Sequence, residues 1–237
     1  MAHQFRRVLV KLSGEALAGD NEWLCSKLLA DLAIDLATAA NAGFELAVVS
    51  GGGNILRGAR LSQEGIVDRP TADAMGMLAT VMNTLALESA LTKAGIQSRT
   101  MSAVAMPSIC ETFSRQKALT HLSKKRIVLV AGGTGQPYFT TDTGAVLRAS
   151  ELQCQAVLKA TQVDGVYTSD PMKDPKARRF QTITHDECLA FDIKVMDAAA
   201  FALAKESGLS ILVGSVHAPS SVTSILQGDS PATVITP

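Results

Sequence analysis

The chain has 237 residues with 22 basic and 22 acidic side chains, so its formal net charge is zero, and only 4% of it is aromatic. That balance argues against a broad basic face interleaved with stacking rings, so no nucleic-acid partner is expected and any bound anion must be held locally. The length fits one large domain or two small lobes, enough to bury a core without disulfides, and Cys25, Cys110, Cys154 and Cys188 form no C-x-x-C pair, which reads as buried thiols of a reducing compartment.

The first predicted strand is Val8 to Leu12, followed by a helix from Ser26 to Ala42 with Leu28, Leu29, Leu32, Leu36 and Ala39 on one face and Gly43 at its end. Phe44 to Val49 reads as a second buried strand, running into Gly51-Gly52-Gly53 and a short polar stretch. A long helix from Pro70 to Lys93 comes next, Pro70 suiting its first turn and Gly95 closing it. Short β-like pieces near Ile96 to Met101, a helix near Ser114 to Ser123 and the strand Ile127 to Val130 lead to a helix over Thr143 to Leu152. Ala156 to Lys159 is a further strand, and Val163 to Tyr167 either extends it or starts a hairpin. A charged loop from Asp170 to Arg179 precedes Thr184-His185-Asp186-Glu187, a capping-box spacing that opens a short helix. Asp197 to Glu206 and Pro219 to Leu226 are the last helices, with strands at Leu209 to Val213 and Thr233 to Ile235. This alternation predicts an α/β fold, a mostly parallel sheet with helices on both faces, as one domain over 1–237. The apolar run behind Arg6 and Arg7 stops at Lys11, too short for a signal peptide, and no segment reads as a bilayer span. A cytoplasmic protein with no membrane partner is expected.

In open α/β sheets ligands bind beyond the carboxyl ends of the strands. The most informative of those ends is Ala131 to Asp142, a strand-to-helix loop. Its three glycines admit close backbone approach, Thr134, Thr140 and Thr141 add hydroxyls, and a helix N-terminus follows. A tight turn in which Thr141 or Asp142 merely caps the helix is the structural alternative. The first strand ends in Lys11-Leu12-Ser13-Gly14, where the lysine is either a site cation or a side chain snorkelling from the sheet. The second ends in three glycines, more than a turn needs, with Asn54 and Arg57 beyond. The fourth carries Lys159, Thr161, Asp164, Gly165, Tyr167 and Asp170, although Asp164-Gly165 also suits a plain hairpin turn. Scattered His and Cys give no zinc spacing. Lys11, Arg57 and Lys159 as cations, glycine loops as N–H donors and Asp142 as an anion are the inventory that phosphoryl transfer requires. Neither G-x-x-x-x-G-K-[ST] nor G-x-G-x-x-G is present.

Lys11 to Leu17, Gly51 to Ile55 with Arg57-Gly58, Asp73 with Met75 to Asn83, Gly133-Thr134-Gly135 with Phe139 to Asp142, and Lys159 to Thr161 with Val163 to Tyr167 and Asp170-Pro171 resemble the bacterial uridylate kinases of the amino acid kinase superfamily. Lys194 to Asp197 matches as well, so the likeness runs through nearly the whole chain. The resemblance implies a three-layer α-β-α sandwich and Mg²⁺-dependent transfer of the ATP γ-phosphoryl group to UMP, the metal being held mainly by nucleotide phosphates and water. It implies catalytic roles for Lys11, Arg57, Asp142, Lys159 and Asp197, the two aspartates orienting Lys11. Lys11, Leu12, Ser13, Gly14, Gly53, Arg57, Thr161, Tyr167 and Asp170 would contact ATP. Gly52, Asp73, Thr134, Gly135, Gln136, Pro137, Tyr138, Phe139, Thr140 and Thr141 would hold UMP. It further implies a homohexamer built from dimers, with the Pro70 to Lys93 helix as either the dimer-forming element or ordinary core. Three departures stand out: the compressed Ala18 to Leu24 segment, where the family's GTP effector region lies, Gln136 in place of asparagine, and Gly214-Ser215 where Phe-Asn is common. Another small-molecule kinase of the superfamily and a non-catalytic nucleotide-binding protein on the same fold are the alternatives.

Overall fold

The computed structural model describes residues 5–237 apart from 21, 57, 170, 172 and 217–220, so the expected site residues Arg57 and Asp170 lie outside the described residues. In chain order the elements are β1 (Arg7–Leu12), a 3-10 turn (Gly14–Leu17), α1 (Ser26–Asn41), β2 (Glu45–Ser50), α2 (Gly58–Gln63), α3 (Arg69–Lys93), β3 (Ser98–Ser102), β4 (Glu111–Thr112) and α4 (Arg115–Ser123). They continue with β5 (Ile127–Ala131), α5 (Thr141–Glu151), β6 (Ala156–Thr161), β7 (Thr182–Thr184), α6 (His185–Ala190), α7 (Ala198–Glu206), β8 (Ser210–Ser215), α8 (Ser221–Gln227) and β9 (Thr233–Thr236). The sheet has nine strands in the order β4-β3-β5-β2-β1-β6-β8-β9-β7. Its pairings are parallel except for β8 with β9.

The central strands are buried on both faces, which is why they read as unbroken apolar runs. Val8, Val10 and Leu12 of β1 join Leu46, Val48, Ile127, Leu129 and Leu158 against α1, α3 and α8. The alternate residues Leu9, Ala47, Val49, Val128, Val130 and Val157 pack against α4, α5 and α7. These two cores make the three-layer sandwich that the βαβ alternation predicts. Helix starts are capped as their sequences suggest: Asp68 accepts from Thr71 N at the start of α3, and Thr184 and Glu187 form a complete capping box on α6. Gly43, at φ +103°, follows α1 in the left-handed region that a side chain would resist.

Several expectations need correction. Leu28 is exposed, and the buried stripe of α1 instead runs through Ala33, Asp35, Leu36, Ala37 and Ala39. Asp35 turns inward because its carboxylate accepts from Val222 N at 2.7 Å, Thr223 N at 3.0 Å and Thr223 Oγ1 at 2.6 Å, tying α1 to the start of α8. The polar stretch after the three glycines contains α2, and β4 and β7 are only two and three residues long, too short to show a period. Val163 to Tyr167 leaves the β6 ladder and pairs back in hairpin fashion, Tyr167 bridging antiparallel to Arg179. Of the four cysteines, Cys154 and Cys188 are buried while Cys25 and Cys110 are half-buried, and all are free thiols. Burial pushes the Cys154 thiol up to about 12 and Cys188 up to about 11, so neither forms a thiolate near neutrality. Finally, α3 does have the length and apolar content of a membrane span, although one face of it packs along α1, β3 and β5.

Asp35→Ala would leave buried donors unpaired at the α1–α8 contact, and we expect a loss of about 3 kcal/mol in urea unfolding. Asp35→Asn, which keeps one acceptor oxygen, should lose clearly less.

Candidate active site

Parallel register places Lys11 of β1 directly beside Lys159 of β6. Each is one residue past an apolar position that packs on the face away from α5, so both lysines project on the α5 side. Two ammoniums on adjacent strands repel, and burial makes each dearer: Lys11 is only 9% exposed. The chain answers with Asp142 in the first turn of α5. Its Oδ2 accepts from Lys159 Nζ at 2.6 Å, and its Oδ1 lies 2.8 Å from Lys11 Nζ, an ion pair off the direction of a hydrogen bond. Burial alone would raise the carboxyl, but the charges of Lys11 and Lys159 outweigh it and hold Asp142 below the usual carboxylate range. For Lys159, burial and the like charge of Lys11 win over Asp142 and lower its ammonium below the ordinary lysine value. Lys159 Nζ also donates to Val195 O. Asp197, the N-cap of α7, accepts from Ala200 N and from the hydroxyls of Thr140 and Thr143, and its charge acts on Lys159. Its described hydrogen bonds thus go to the α5 start and to its own helix, whereas the resemblance has it orienting Lys11.

The glycines are where loops touch. A Cβ on Gly14 would stand 2.4 Å from Asn54 Oδ1 and 3.0 Å from Gly51 O, and one on Gly52 would stand 2.8 Å from Gly76 O and from Ala79 Cβ of α3. Only bare backbone lets the β1 loop, the β2 loop and α3 meet here. Asn83, fully buried on α3, donates to Gly51 O at 2.7 Å and exchanges hydrogen bonds with Asn54, which in turn holds Trp23 O. Both amides are thereby satisfied, and the glycine run is fixed from behind.

Beside this cluster lies a cavity of about 230 Å³ between α3 and the β5–α5 loop. Of the residues expected on the acceptor side, Gly52, Asp73, Thr134, Gln136, Phe139, Thr140 and Thr141 line it, as does Gly53, expected on the ATP side. Gly135, Pro137 and Tyr138 belong to the same loop but are outside the lining. Tyr138 has φ +71°, an uncommon conformation for a bulky residue, and its N–H donates to Asp73 Oδ2 at 2.7 Å. Arg69 grips both oxygens of Asp73 at 2.8 Å and lies over the Tyr138 ring. Thr80 Oγ1 accepts from Gly132 N at 2.8 Å. The sequence does not single out Arg69, and Thr80 enters only within the Met75 to Asn83 stretch, without a role of its own; the i,i+4 spacing of Arg69 and Asp73 is the available signal for the first. Lys11 and Lys159 stand outside this lining, next to it through Thr140-Thr141-Asp142. On the other side, Ser13 caps the 3-10 turn after β1, Thr161 ends β6, and Tyr167 donates its hydroxyl to Asp164 at 2.6 Å. Leu12 O accepts from Gly51 N at 2.9 Å, so the β1 and β2 ends are joined.

Carboxyl ends of parallel strands, bare-amide loops and a pair of buried ammoniums steadied by one carboxylate define a protein that handles phosphate groups. The Amino acid kinase family model matches residues 6–215. Similar proteins include a uridylate kinase of Azorhizobium caulinodans, 58% identical with 98% of each chain covered, and one of Nitrobacter winogradskyi, 56% identical over 98% of this chain and 97% of the relative. Among solved structures, a UMP kinase from Bacillus anthracis superimposes with TM-score 0.95 at 37% identity, covering 99% of this chain and 97% of that one. One from Ureaplasma parvum gives 0.94 at 33% identity, covering 99% and 100%. The chain belongs to the amino acid kinase family, within its bacterial uridylate kinase group.

Because folding lowers the Asp142 pKa, its ion pairs stabilise the protein above the unfolded value of 3.8 and are lost as pH falls through the folded value. Asp142→Asn should therefore cost about 3 kcal/mol at neutral pH. The gap between the two proteins in urea unfolding should close as pH drops below 3.8.

Proposed function

We propose that this chain is a nucleoside monophosphate kinase that transfers the γ-phosphoryl group of ATP to UMP, giving UDP and ADP. The observation that carries the reading is the buried Lys11–Asp142–Lys159 cluster, set beside a cavity walled by glycine loops. Two anionic substrates repel until fixed positive charge offsets them, and ammoniums held in place at low water content do so without reorganising during the reaction. The attacking oxygen belongs to a phosphate already ionised at neutral pH, so no general base is required. Asp142 orients the ammoniums, and Asp197 steadies the start of α5.

In this reading the N-terminal part of one continuous domain mainly seats UMP in the cavity, with Asp73 toward the ribose and Thr134 to Thr141 around the nucleotide. The C-terminal part, with Lys11 to Gly14 of β1, mainly seats ATP, using Gly53, Thr161, Tyr167 and Asp170. Arg57 is assigned between the two phosphate groups, where its fork of donors suits two anions. Among the described residues no three His, Cys, Asp or Glu side chains converge on one point, and Asp142 is committed to the lysines. A divalent cation, taken as Mg²⁺, is assigned to the nucleotide phosphates and water, where it would supply further charge neutralisation. The free thiols support a cytoplasmic setting. Met75, Leu78 and Met82 form an exposed apolar stripe on α3 at helical spacing, and this supports α3 as the contact in a dimer from which a homohexamer is built.

A coupled assay with MgATP should show ADP formation with UMP and far less with CMP, dUMP or small acids. Equal or greater turnover with CMP or an acid would overturn the assignment. Lys11→Ala should lower turnover with UMP at least about a hundredfold. In sedimentation equilibrium the protein should run as a multiple of 24.9 kDa, and Leu78→Glu should shift it toward smaller species.

A further inference from the structure

Behind the cavity wall sits a guanidinium that the reaction as derived above does not use. Arg148 lies on α5 with 6% of its surface exposed. Its Nη2 donates to Gly133 O at 3.2 Å and Thr134 O at 3.3 Å, its Nη1 pairs with Glu151 at 2.6 Å, and its Cζ lies 4.3 Å from the centre of the Phe113 ring. One turn earlier on the same helix face, Gly144 has no side chain, and a Cβ there would stand 3.3 Å from Gly133 C. The helix therefore offers the loop a gap at Gly144 and a two-pronged donor at Arg148.

A buried guanidinium held on three sides is a costly way to make a turn. Its effect on the loop is directional. A trans peptide is planar, and its N–H points opposite its C=O. Turning Gly133 O inward to Arg148 turns the Thr134 N–H outward, toward the cavity that Gly133 and Thr134 line. Gly132, Gly133 and Gly135 all have positive φ, so the loop can hold this inside-out arrangement. The Gly135 N–H is taken by Gly132 O at 2.9 Å, which leaves the Thr134 amide as the one that the brace aims. A charged donor on the carbonyl also polarises that peptide, strengthening its N–H toward an anion.

We propose that Arg148 is a positioning residue for the phosphate-accepting substrate: it holds the carbonyls of Gly133 and Thr134 inward and so presents the Thr134 N–H to the cavity. This rests on the cavity being the UMP seat. Lysine could reach one carbonyl but could neither fork nor lie flat on Phe113 in the same way.

Steady-state kinetics and backbone amide exchange on the full chain test it together. For Arg148→Met, KM for UMP should rise at least about tenfold while KM for ATP changes less than about twofold, with Arg148→Lys between the two proteins. In the nucleotide-free protein the Thr134 amide resonance should shift and its exchange should slow as the N–H loses its outward, polarised setting, while amides of β1 and β6 stay unchanged. Equal changes in both KM values, or a lowered melting temperature with unchanged KM values, would reduce Arg148 to a structural role and overturn the proposal. An unaltered Thr134 amide would overturn it too. If the unmodified chain fails to phosphorylate UMP, the functional reading falls instead, and the amide measurement still decides whether Arg148 aims the loop. Should Arg148→Met not fold, Arg148→Lys and Phe113→Leu carry the same comparison.

Discussion

Two lysines fixed side by side by strand register are the constraint around which this molecule is arranged. Lys11 and Lys159 cannot move apart without breaking the β1–β6 ladder, and both are largely shielded from water, with side chains 11% and 14% exposed. A carboxylate must stand between them, and only an element crossing that face of the sheet can deliver one. The first turn of α5 does so, which fixes where α5 begins and thus the length and path of the loop from Ala131 to Thr140. Thr140 caps that helix start with its backbone neighbours and hands its hydroxyl to Asp197, so α7 is drawn into the same arrangement. One electrostatic requirement in this way links two strands, two helices and the longest glycine loop.

The opposite side of the cavity is held by small residues and amides. Gly14 and Gly52 let three backbone segments approach to distances that a methyl group would forbid, and Gly51 packs almost as tightly. Bare backbone in close contact must also satisfy its polar groups, and Asn54 and Asn83 do this for Gly51 and Trp23. Rigidity in the glycine run therefore comes from side chains elsewhere. The chain places its adaptable residues at the site and its fixing residues one layer behind, Asn83 behind the β2 loop and Arg148 behind the β5 loop.

Much of the scaffold was legible because it follows short-range rules. β1, β2, β5 and β6 are apolar runs, Pro70 and Gly95 bracket α3, and Thr184 with Glu187 spells out a capping box. The lysines, glycines and Asp142 could be picked out by type, and the family likeness gave them a common purpose. Longer-range facts were hidden. Nothing local reveals that Lys11 and Lys159 are register partners, since that depends on β6 joining the far side of β1. Asp35 reads as one more polar residue on an amphipathic helix until α8 arrives to use it. Arg148 looks like an ordinary helix charge paired with Glu151, and its carbonyl partners lie in a loop whose backbone direction depends on several positive φ values. α2, β4 and β7 were missed because they are too short for any period to emerge.

The energetic balance of the lysine cluster bears on why such a site is retained. Buried ion pairs rarely add stability over apolar packing, because desolvation offsets the Coulomb attraction. Here two ammoniums share the one carboxylate in direct contact, and Lys159 is lowered by burial and by its neighbour despite Asp142 and the further charge of Asp197. A fold selected for stability alone would place an apolar residue at one of these positions, as it does at the strand neighbours Val10, Leu12, Leu158 and Ala160. In the proposed function, an anion arriving at the strand ends would relieve the repulsion between the two ammoniums, so the term that penalises the empty protein would favour the loaded one. Binding and ground-state cost would then be two aspects of one arrangement, with the glycine loops admitting the phosphate close enough to collect the difference.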